Sequence, residues 1–175
     1  MTDNIKQTYT AADIESPTGV NIELTELCNV KCKHCYNPWR DESMGVNQLN
    51  VLKIKKIISK LSDAGVFHVI LSGGEPLSNY EILKEAMKFL KMHKMTFSMN
   101  TNLILANDQN MSELRALGLE HCLTSIPSID AKENDEIMQS KGTLKKILNG
   151  IKACRSNDIR VSANMVVTKS NKHRV

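Results

Sequence analysis

Short apolar runs alternate along this chain with segments in which apolar residues recur every three or four positions. The runs predict β-strands and the periodic segments predict amphipathic helices. Predicted strands cover residues 20–25, 66–71, 96–100, 119–126 and 159–167, and the helical interval 132–155 divides near Gly142. Strands that alternate with helices predict right-handed crossovers and a parallel sheet. The expected fold class is therefore α/β, with about five βα units in an incomplete barrel or an open sheet.

Residues that favour helix ends set the expected boundaries of the first three helices. Asn47 is expected to cap the first helix and Gly65 to close it. Ser78, with a glutamate three residues later, has the pattern of a capping box for the second helix. Asn110 is expected to cap the third helix and Gly118 to end it. These boundaries leave the unusual residues of the chain in the loops that follow the strands.

The cysteine, glycine and polar clusters fall at the ends of predicted strands. Cys28 follows the first strand and Gly73 follows the second, while Asn100 and Ser125 end the third and fourth. Because the carboxyl ends of parallel strands meet at one edge of a sheet, these residues are expected to lie together. In α/β folds that edge is where ligands bind.

Three of the five cysteines, Cys28, Cys32 and Cys35, lie within eight residues. An odd number of cysteines clustered in this way is a poor disulfide framework and is typical of a metal site. Thiolates favour zinc and iron–sulfur clusters. A four-iron cluster normally takes four thiolates, so three would leave one iron open to a small-molecule ligand. The alternative is a zinc site that the cysteines complete with His34 or with a distant residue.

Charge and hydropathy exclude some classes of function. The 23 basic and 19 acidic residues are spread along the chain and give a net charge of +4, which predicts a solvated surface rather than a nucleic-acid patch. No apolar run approaches the roughly 20 residues of a membrane span, and the N-terminus lacks a signal-peptide pattern. We therefore expect a cytoplasmic protein with reduced cysteines. Residues 1–17 are polar and without periodicity, which indicates an N-terminal arm.

Two motifs resemble those of the radical S-adenosylmethionine (SAM) superfamily. The stretch Cys28-Asn29-Val30-Lys31-Cys32-Lys33-His34-Cys35-Tyr36 resembles its signature loop, including the aromatic residue after the third cysteine. The stretch Gly73-Gly74-Glu75-Pro76 resembles its GGEP motif, and the two motifs come in the expected order. The resemblance implies a partial TIM-like barrel, typically of six strands. Residues 18–175 are then expected to be a radical SAM core domain that ends before the sixth strand.

The resemblance also implies the cofactors, a 4Fe–4S cluster on the three cysteines and S-adenosylmethionine, whose methionyl amine and carboxylate chelate the open iron. An electron from the reduced cluster would cleave the sulfonium, and a 5′-deoxyadenosyl radical would take a hydrogen atom from the substrate. The implied cofactor-binding residues are Tyr36, Gly73, Gly74, Glu75, Pro76, Asn100, Asn102, Ser125 and Asn164.

Several of these residues also have an ordinary structural explanation. Gly73 and Gly74 would suit a plain strand-to-helix turn, and Asn-rich turns such as 100–102 are common. Asn164 faces either the barrel interior or solvent. The sequence also departs from the family pattern, because many relatives carry an arginine near Met138 that pairs with the cofactor carboxylate. Lys141 is the nearest replacement, as a point charge without the guanidinium fork.

Within the superfamily, the motifs most resemble peptide and protein maturases of the SPASM and twitch group. The implied partners are a peptide or small-molecule substrate and a flavodoxin or ferredoxin electron donor, and the implied class is an oxidoreductase. The alternative is a non-catalytic module, either an iron–sulfur electron carrier or a zinc-stabilised binding domain. An electron carrier has no need of the 73–76 segment, which therefore favours the enzyme.

Overall fold

The computed structural model describes residues 17–37 and 47–174, so the predicted N-terminal arm lies outside the described residues except for Pro17. The strands are β1 Gly19–Glu23, β2 His68–Ser72, β3 Thr96–Asn100, β4 His121–Ser125 and β5 Arg160–Asn164. The helices are α1 Val51–Asp63, α2 Tyr80–Met92, α3 Asp108–Leu117, α4 Ala131–Met138 and α5 Thr143–Ser156. Short 3-10 turns lie at Pro76–Asn79 and Lys172–Arg174.

The described strands form one sheet in the order β1-β2-β3-β4-β5, and every neighbouring pair is parallel. At least one helix joins each strand to the next, which confirms the predicted α/β fold. The last interval holds α4 and α5, and Gly142, with a φ of 68°, stands between them. Because neighbouring strands are all parallel, the loops that follow them lie at one edge of the sheet.

The sheet has one apolar face and one polar face, since alternate residues of a strand point in opposite directions. The outer face is buried beneath the helices through Val69, Leu71, Phe97, Met99 and Cys122. On the inner face, the strand register places Glu23 beside Ser72, and Ser125 beside Asn164. The inner face is therefore lined with groups that can hydrogen-bond a ligand.

Two predicted helix starts are wrong, because one expected cap binds a distant carboxylate and the other lies within a 3-10 turn. Asn50, rather than Asn47, caps α1 by accepting a hydrogen bond from the Lys53 amide at 2.9 Å. Asn47 instead donates from its amide and its side chain to the carboxylate of Glu26, at 2.6 and 3.0 Å. Ser78 lies within the 3-10 turn that precedes α2 and does not cap that helix.

The third helix starts earlier than expected. Asn107 caps α3, and Asn110, the predicted cap, is the third residue of the helix, where the two side chains form a reciprocal capping box. Gly65 and Gly118 follow the ends of α1 and α3 with φ values of 80° and 114°, as predicted. Cys122 and Cys154 are buried in the main core between sheet and helices.

The described helices include none that is long and apolar enough to cross a lipid bilayer. Beside the main core lies a smaller apolar cluster formed by Val30, Met138 and Ile147, with Cys28 and Cys32 packed against it. This second cluster packs against the segment that follows β1 and carries Cys28 and Cys32. It connects the packing of the fold directly to the cysteine loop.

Candidate cofactor site

The cysteine loop, residues 28–35, crosses the edge of the sheet just beyond β1. Cys28, Cys32 and Cys35 are each half-buried and line one cavity of about 370 Å³. The volume falls in the range of ordinary ligand sites, roughly 300–1,000 Å³. The loop therefore brings the three predicted metal ligands together on one wall of a cavity.

The far side of the cysteine loop is fastened to the end of α4. The amide of Lys31 donates to the carbonyl of Met138 at 3.3 Å, and the amide of Lys33 donates to that of Ile137 at 2.8 Å. Within the loop, the Cys35 amide donates to the Cys32 carbonyl at 3.1 Å. These bonds fix the backbone of the second half of the loop.

The Gly73–Gly74 turn holds the stem of the loop by close backbone contact. The Gly74 amide donates to the carbonyl of Thr25 at 2.6 Å, and the Glu75 amide donates to that of Leu27 at 2.6 Å. A Cβ on Gly73 would lie 2.4 Å from the Thr25 oxygen, and a Cβ on Gly74 would lie 2.2 Å from the Leu27 oxygen. The missing side chains thus let two protein backbones meet, and both glycines also line the cavity.

Glu75 and Pro76 do not line the cavity, unlike the two glycines before them. Glu75 is fully buried, and its carboxylate accepts hydrogen bonds from the Leu77 amide at 3.0 Å, from the Thr101 hydroxyl at 2.7 Å and from the Asn102 amide at 2.7 Å. Burial raises the pKa of the Glu75 carboxyl above its usual 4.5, and the three hydrogen bonds oppose that rise. The carboxylate is directed at the loop after β3.

The opposite wall of the cavity comes from the ends of β3, β4 and β5. Asn100, Asn102, Ser125 and Asn164 all line it, so Asn164 faces the interior. The Ser125 hydroxyl donates to the side-chain oxygen of Asn164 at 2.7 Å. Polar groups from three strands thus face the three cysteines across the cavity.

Tyr36 lies at the mouth of the cavity with 73% of its surface exposed. Its hydroxyl donates to the carboxylate of Glu23 at 2.9 Å. Partial burial and this bond to a carboxylate raise the pKa of Tyr36 to about 12. The phenol therefore remains protonated at neutral pH. Its hydrogen bond to Glu23 holds the ring beside Cys35.

Sequence reasoning missed some lining residues, of which Asn37 is the most informative. Asn37 is only 6% exposed, and its side-chain oxygen is buried without a hydrogen-bond partner among the described residues. A buried acceptor of this kind is one that a bound donor would satisfy. Met138 is buried and lines the cavity, whereas Lys141, the expected replacement for an arginine that pairs with the cofactor carboxylate, does not line it. Only adjacency to Cys35 and Tyr36 would have pointed to Asn37.

The donor set fits a cluster that three thiolates hold. Among the described residues, no three His, Cys, Asp or Glu side chains converge as ligands of a single metal ion. A cubane takes each thiolate on a different iron, so its ligands need no common point. The cavity beyond the sulfurs has a polar wall and the side-chain oxygen of Asn37, which has no partner within the described part of the chain, so it can accept a polar organic ligand.

A larger depression of about 1110 Å³ lies over the half of the sheet where the strands begin, and no cysteine lines it. His68 and His121 line it from the inner face. The ring of His68 lies 2.9 Å from the Thr96 hydroxyl and 3.1 Å from that of Ser98. His121 lies 2.9 Å from the Ser162 hydroxyl. Each imidazole is thus anchored to a neighbouring strand.

Comparison with known protein sequences agrees with the motifs that the cavity brings together. A model of the Radical SAM superfamily matches residues 22–174. The PqqA peptide cyclase of Bradyrhizobium diazoefficiens is 29% identical over 174 residues, which are 97% of this chain and 44% of the cyclase. The Fe-coproporphyrin III synthase of Methanosarcina barkeri is 28% identical over 148 residues, 85% of this chain and 36% of the synthase.

The same fold is found in solved structures. Streptococcus suis SuiB, crystallised with its precursor peptide SuiA, superposes with a TM-score of 0.77 at 21% identity, over 92% of this chain and 35% of SuiB. This likeness confirms the predicted partial barrel. The chain spans less than half the length of the curated relatives it matches.

Proposed function

We propose that this chain, which belongs to the radical SAM superfamily, forms the cofactor-binding core of an oxidoreductase that modifies a peptide. The cofactors of that superfamily are a 4Fe–4S cluster and SAM. When bound, they supply a 5′-deoxyadenosyl radical by one-electron reduction of the sulfonium, for removal of a substrate hydrogen atom. The observation that carries the proposal is that the cysteine loop, the glycine turn and the inner ends of β3 to β5 line one cavity.

The residues of the chain have separate roles in this proposal. Cys28, Cys32 and Cys35 would hold the cluster. The backbone of the Gly73–Gly74 turn, together with Asn100, would orient SAM by hydrogen bonds, and Asn102 would line the cavity beside them. These groups offer donors and acceptors at positions that the sheet edge fixes before any ligand arrives.

Further lining groups would complete the cofactor site. Asn37 offers its buried oxygen to an amino or hydroxyl group of the cofactor. Ser125 and Asn164, already bonded to each other, would face the reacting end from the opposite wall. Met138 and Val166 add apolar surface that excludes water from the cavity.

A peptide is the substrate class we favour. One curated relative, from Bradyrhizobium diazoefficiens, is a peptide cyclase, and SuiB was crystallised with a precursor peptide. The polar inner face below the cavity, with His68 and His121, offers hydrogen-bonding groups along the open sheet. A small molecule is the second candidate, because the Methanosarcina barkeri relative is named for a porphyrin product.

For the electron donor we propose a flavodoxin or ferredoxin, since reduction of such a cluster needs a low-potential one-electron carrier. The exposed ring of Tyr36 marks where the cysteine loop is open to such a partner. We place the reaction in the cytoplasm, where thiols are kept reduced before the cluster is loaded.

The test is cleavage of SAM by the anaerobically reconstituted chain. With dithionite as reductant, we expect about four irons per chain and release of 5′-deoxyadenosine, measured by mass spectrometry. The Cys28→Ala variant should lose both. The matched control is Cys154→Ala, which removes a buried cysteine of the main core and should retain both.

Two results would contradict the proposal. Zinc in place of iron after reconstitution would favour the binding module. A full cluster that yields no 5′-deoxyadenosine would favour the electron carrier. If the chain does cleave SAM, peptide and porphyrin-like candidates, added separately, show which substrate class raises the rate of cleavage.

A further inference from the structure

Asn102 joins three parts of the site through separate atoms. Its backbone amide donates to the buried carboxylate of Glu75 at 2.7 Å. Its side-chain oxygen accepts from the Ile104 amide at 2.9 Å, which fixes the turn after β3. Its side-chain nitrogen donates to the side-chain oxygen of Asn29 at 2.7 Å. A residue at the end of β3 is thereby bonded to the cysteine loop.

Asn29 is well placed to transmit this contact to a cluster ligand. It follows Cys28 directly, and its side-chain oxygen lies 3.9 Å from the Cys28 sulfur. The other braces reach the loop on either side of this point. The glycine turn holds residues 25–27, and the end of α4 holds residues 31–33. The Asn102–Asn29 bond supports the segment between them.

The carboxylate of Glu75 in turn fixes the backbone of Asn102. Three donors point at it, from Leu77, Thr101 and Asn102, so its two oxygens are used within the protein. The Thr101 hydroxyl also accepts from the Leu103 amide at 3.0 Å. The result is a continuous set of hydrogen bonds from the buried carboxyl group of Glu75 to the loop that carries Cys28.

We propose that Glu75 and Asn102 are positioning residues that hold the Asn29 end of the cysteine loop and so govern how firmly the cluster is retained. The inference rests on the proposed function, in which the loop cysteines hold a cluster. It gives Glu75 a role in the protein scaffold in place of direct contact with SAM. Groups that orient metal ligands in this way typically change metal affinity by about 10–100-fold when they are removed.

The test uses the 175-residue chain with three variants. Asn29→Ala removes the acceptor, and Asn102→Ala removes the donor. Asn29→Asp keeps an oxygen for the Asn102 amide and is the rescue variant. The matched control is Asn107→Ala, which removes the asparagine cap of α3 and is not among the residues that line the cavity. Iron release to a chelator is followed by loss of cluster absorbance, without SAM.

We expect Asn29→Ala and Asn102→Ala each to speed iron release roughly tenfold. The double variant should be no faster than Asn102→Ala alone, because that variant has already lost the bond that Asn29→Ala removes. Asn29→Asp, which keeps an acceptor for Asn102, should release iron more slowly than Asn29→Ala, and Asn107→Ala should match the parent. Release rates of the two alanine variants equal to that of the parent would overturn the proposal.

A second measurement makes the outcome independent of the cluster. Hydrogen exchange of the amides of residues 28–32 is recorded on the cluster-free chain and its variants. Faster exchange in Asn29→Ala and Asn102→Ala, but not in Asn107→Ala, supports the tie, and unchanged exchange refutes it. If the parent chain takes up no cluster, the proposed function fails, while the exchange data still decide the role of Asn102.

Discussion

Gly74→Ala should detach the stem of the cysteine loop from the turn after β2. The new Cβ would stand 2.2 Å from the Leu27 carbonyl oxygen and 2.6 Å from that of Glu26. Ordinary contact begins near 3.4 Å, so a gap of about 1.2 Å must open between two backbones. Opening it breaks the 2.6 Å hydrogen bonds to Thr25 and Leu27.

The magnitude follows from those two bonds. Each backbone bond contributes about 1 kcal/mol net, and the buried groups left behind add a further penalty, so the free energy of unfolding should fall by about 2–4 kcal/mol. The φ of Gly74 is not in the left-handed region, so the cost is steric and not conformational. Iron uptake should fall as well, because the displaced segment leads directly into Cys28.

The assay is urea unfolding of the cluster-free chain, followed by circular dichroism. The control is Gly19→Ala in β1, where the nearest neighbour of the new Cβ is the His68 carbonyl oxygen at 3.6 Å. That variant should change the free energy of unfolding by less than about 1 kcal/mol, because it meets no clash. Equal stability of the two variants would refute the steric argument for the glycine turn.

Three further predictions concern single side chains. Glu75→Gln keeps an oxygen that accepts from Leu77 and Thr101, but it places a side-chain N–H group against the N–H of Asn102. The folded-state pKa of Glu75 is raised above 4.5. The free energy of unfolding of the parent should therefore fall, relative to that of this variant, as the pH rises from 4.5 through the folded-state pKa. Urea melts in which the two proteins show the same dependence of unfolding free energy on pH would contradict this. Glu23→Gln should lower the pKa of Tyr36 from about 12, read by ultraviolet titration. Ile147→Ala should cost about 2–4 kcal/mol in the same melts, because it empties the cluster beneath the cysteine loop.

The parallel sheet and the meeting of the motifs could be predicted from sequence because both follow from local patterns. Apolar runs and helical stripes recur in alternation, and in a parallel sheet the ends of all strands share an edge. The predicted strand 96–100 matches β3. Cys28, Gly73, Asn100 and Ser125 therefore reach one cavity. No knowledge of side-chain packing is needed for that result.

The helix caps and the direction of Glu75 could not be predicted in this way. Asn47 and Asn50 are equally good caps in isolation, and the choice is made by Glu26, which lies far away in sequence and binds Asn47. Glu75 follows two glycines in a motif associated with ligand binding, yet its carboxylate turns toward Thr101 and Asn102. In both cases the deciding partners are supplied by the folded chain.

The cysteine loop and the glycine turn are parts of one structure, although a whole βα unit separates them along the chain. Residues 25–27 fit against the turn only where Gly73 and Gly74 lack side chains. The amides of Gly74 and Glu75 then hold the loop by its stem, while the Glu75 carboxylate holds Asn102 and, through it, Asn29. A substitution in the turn should therefore displace the cysteines even where it is too mild to alter a contact with SAM. Among such variants, we expect the mildest to lose iron while those that keep the cluster still bind SAM.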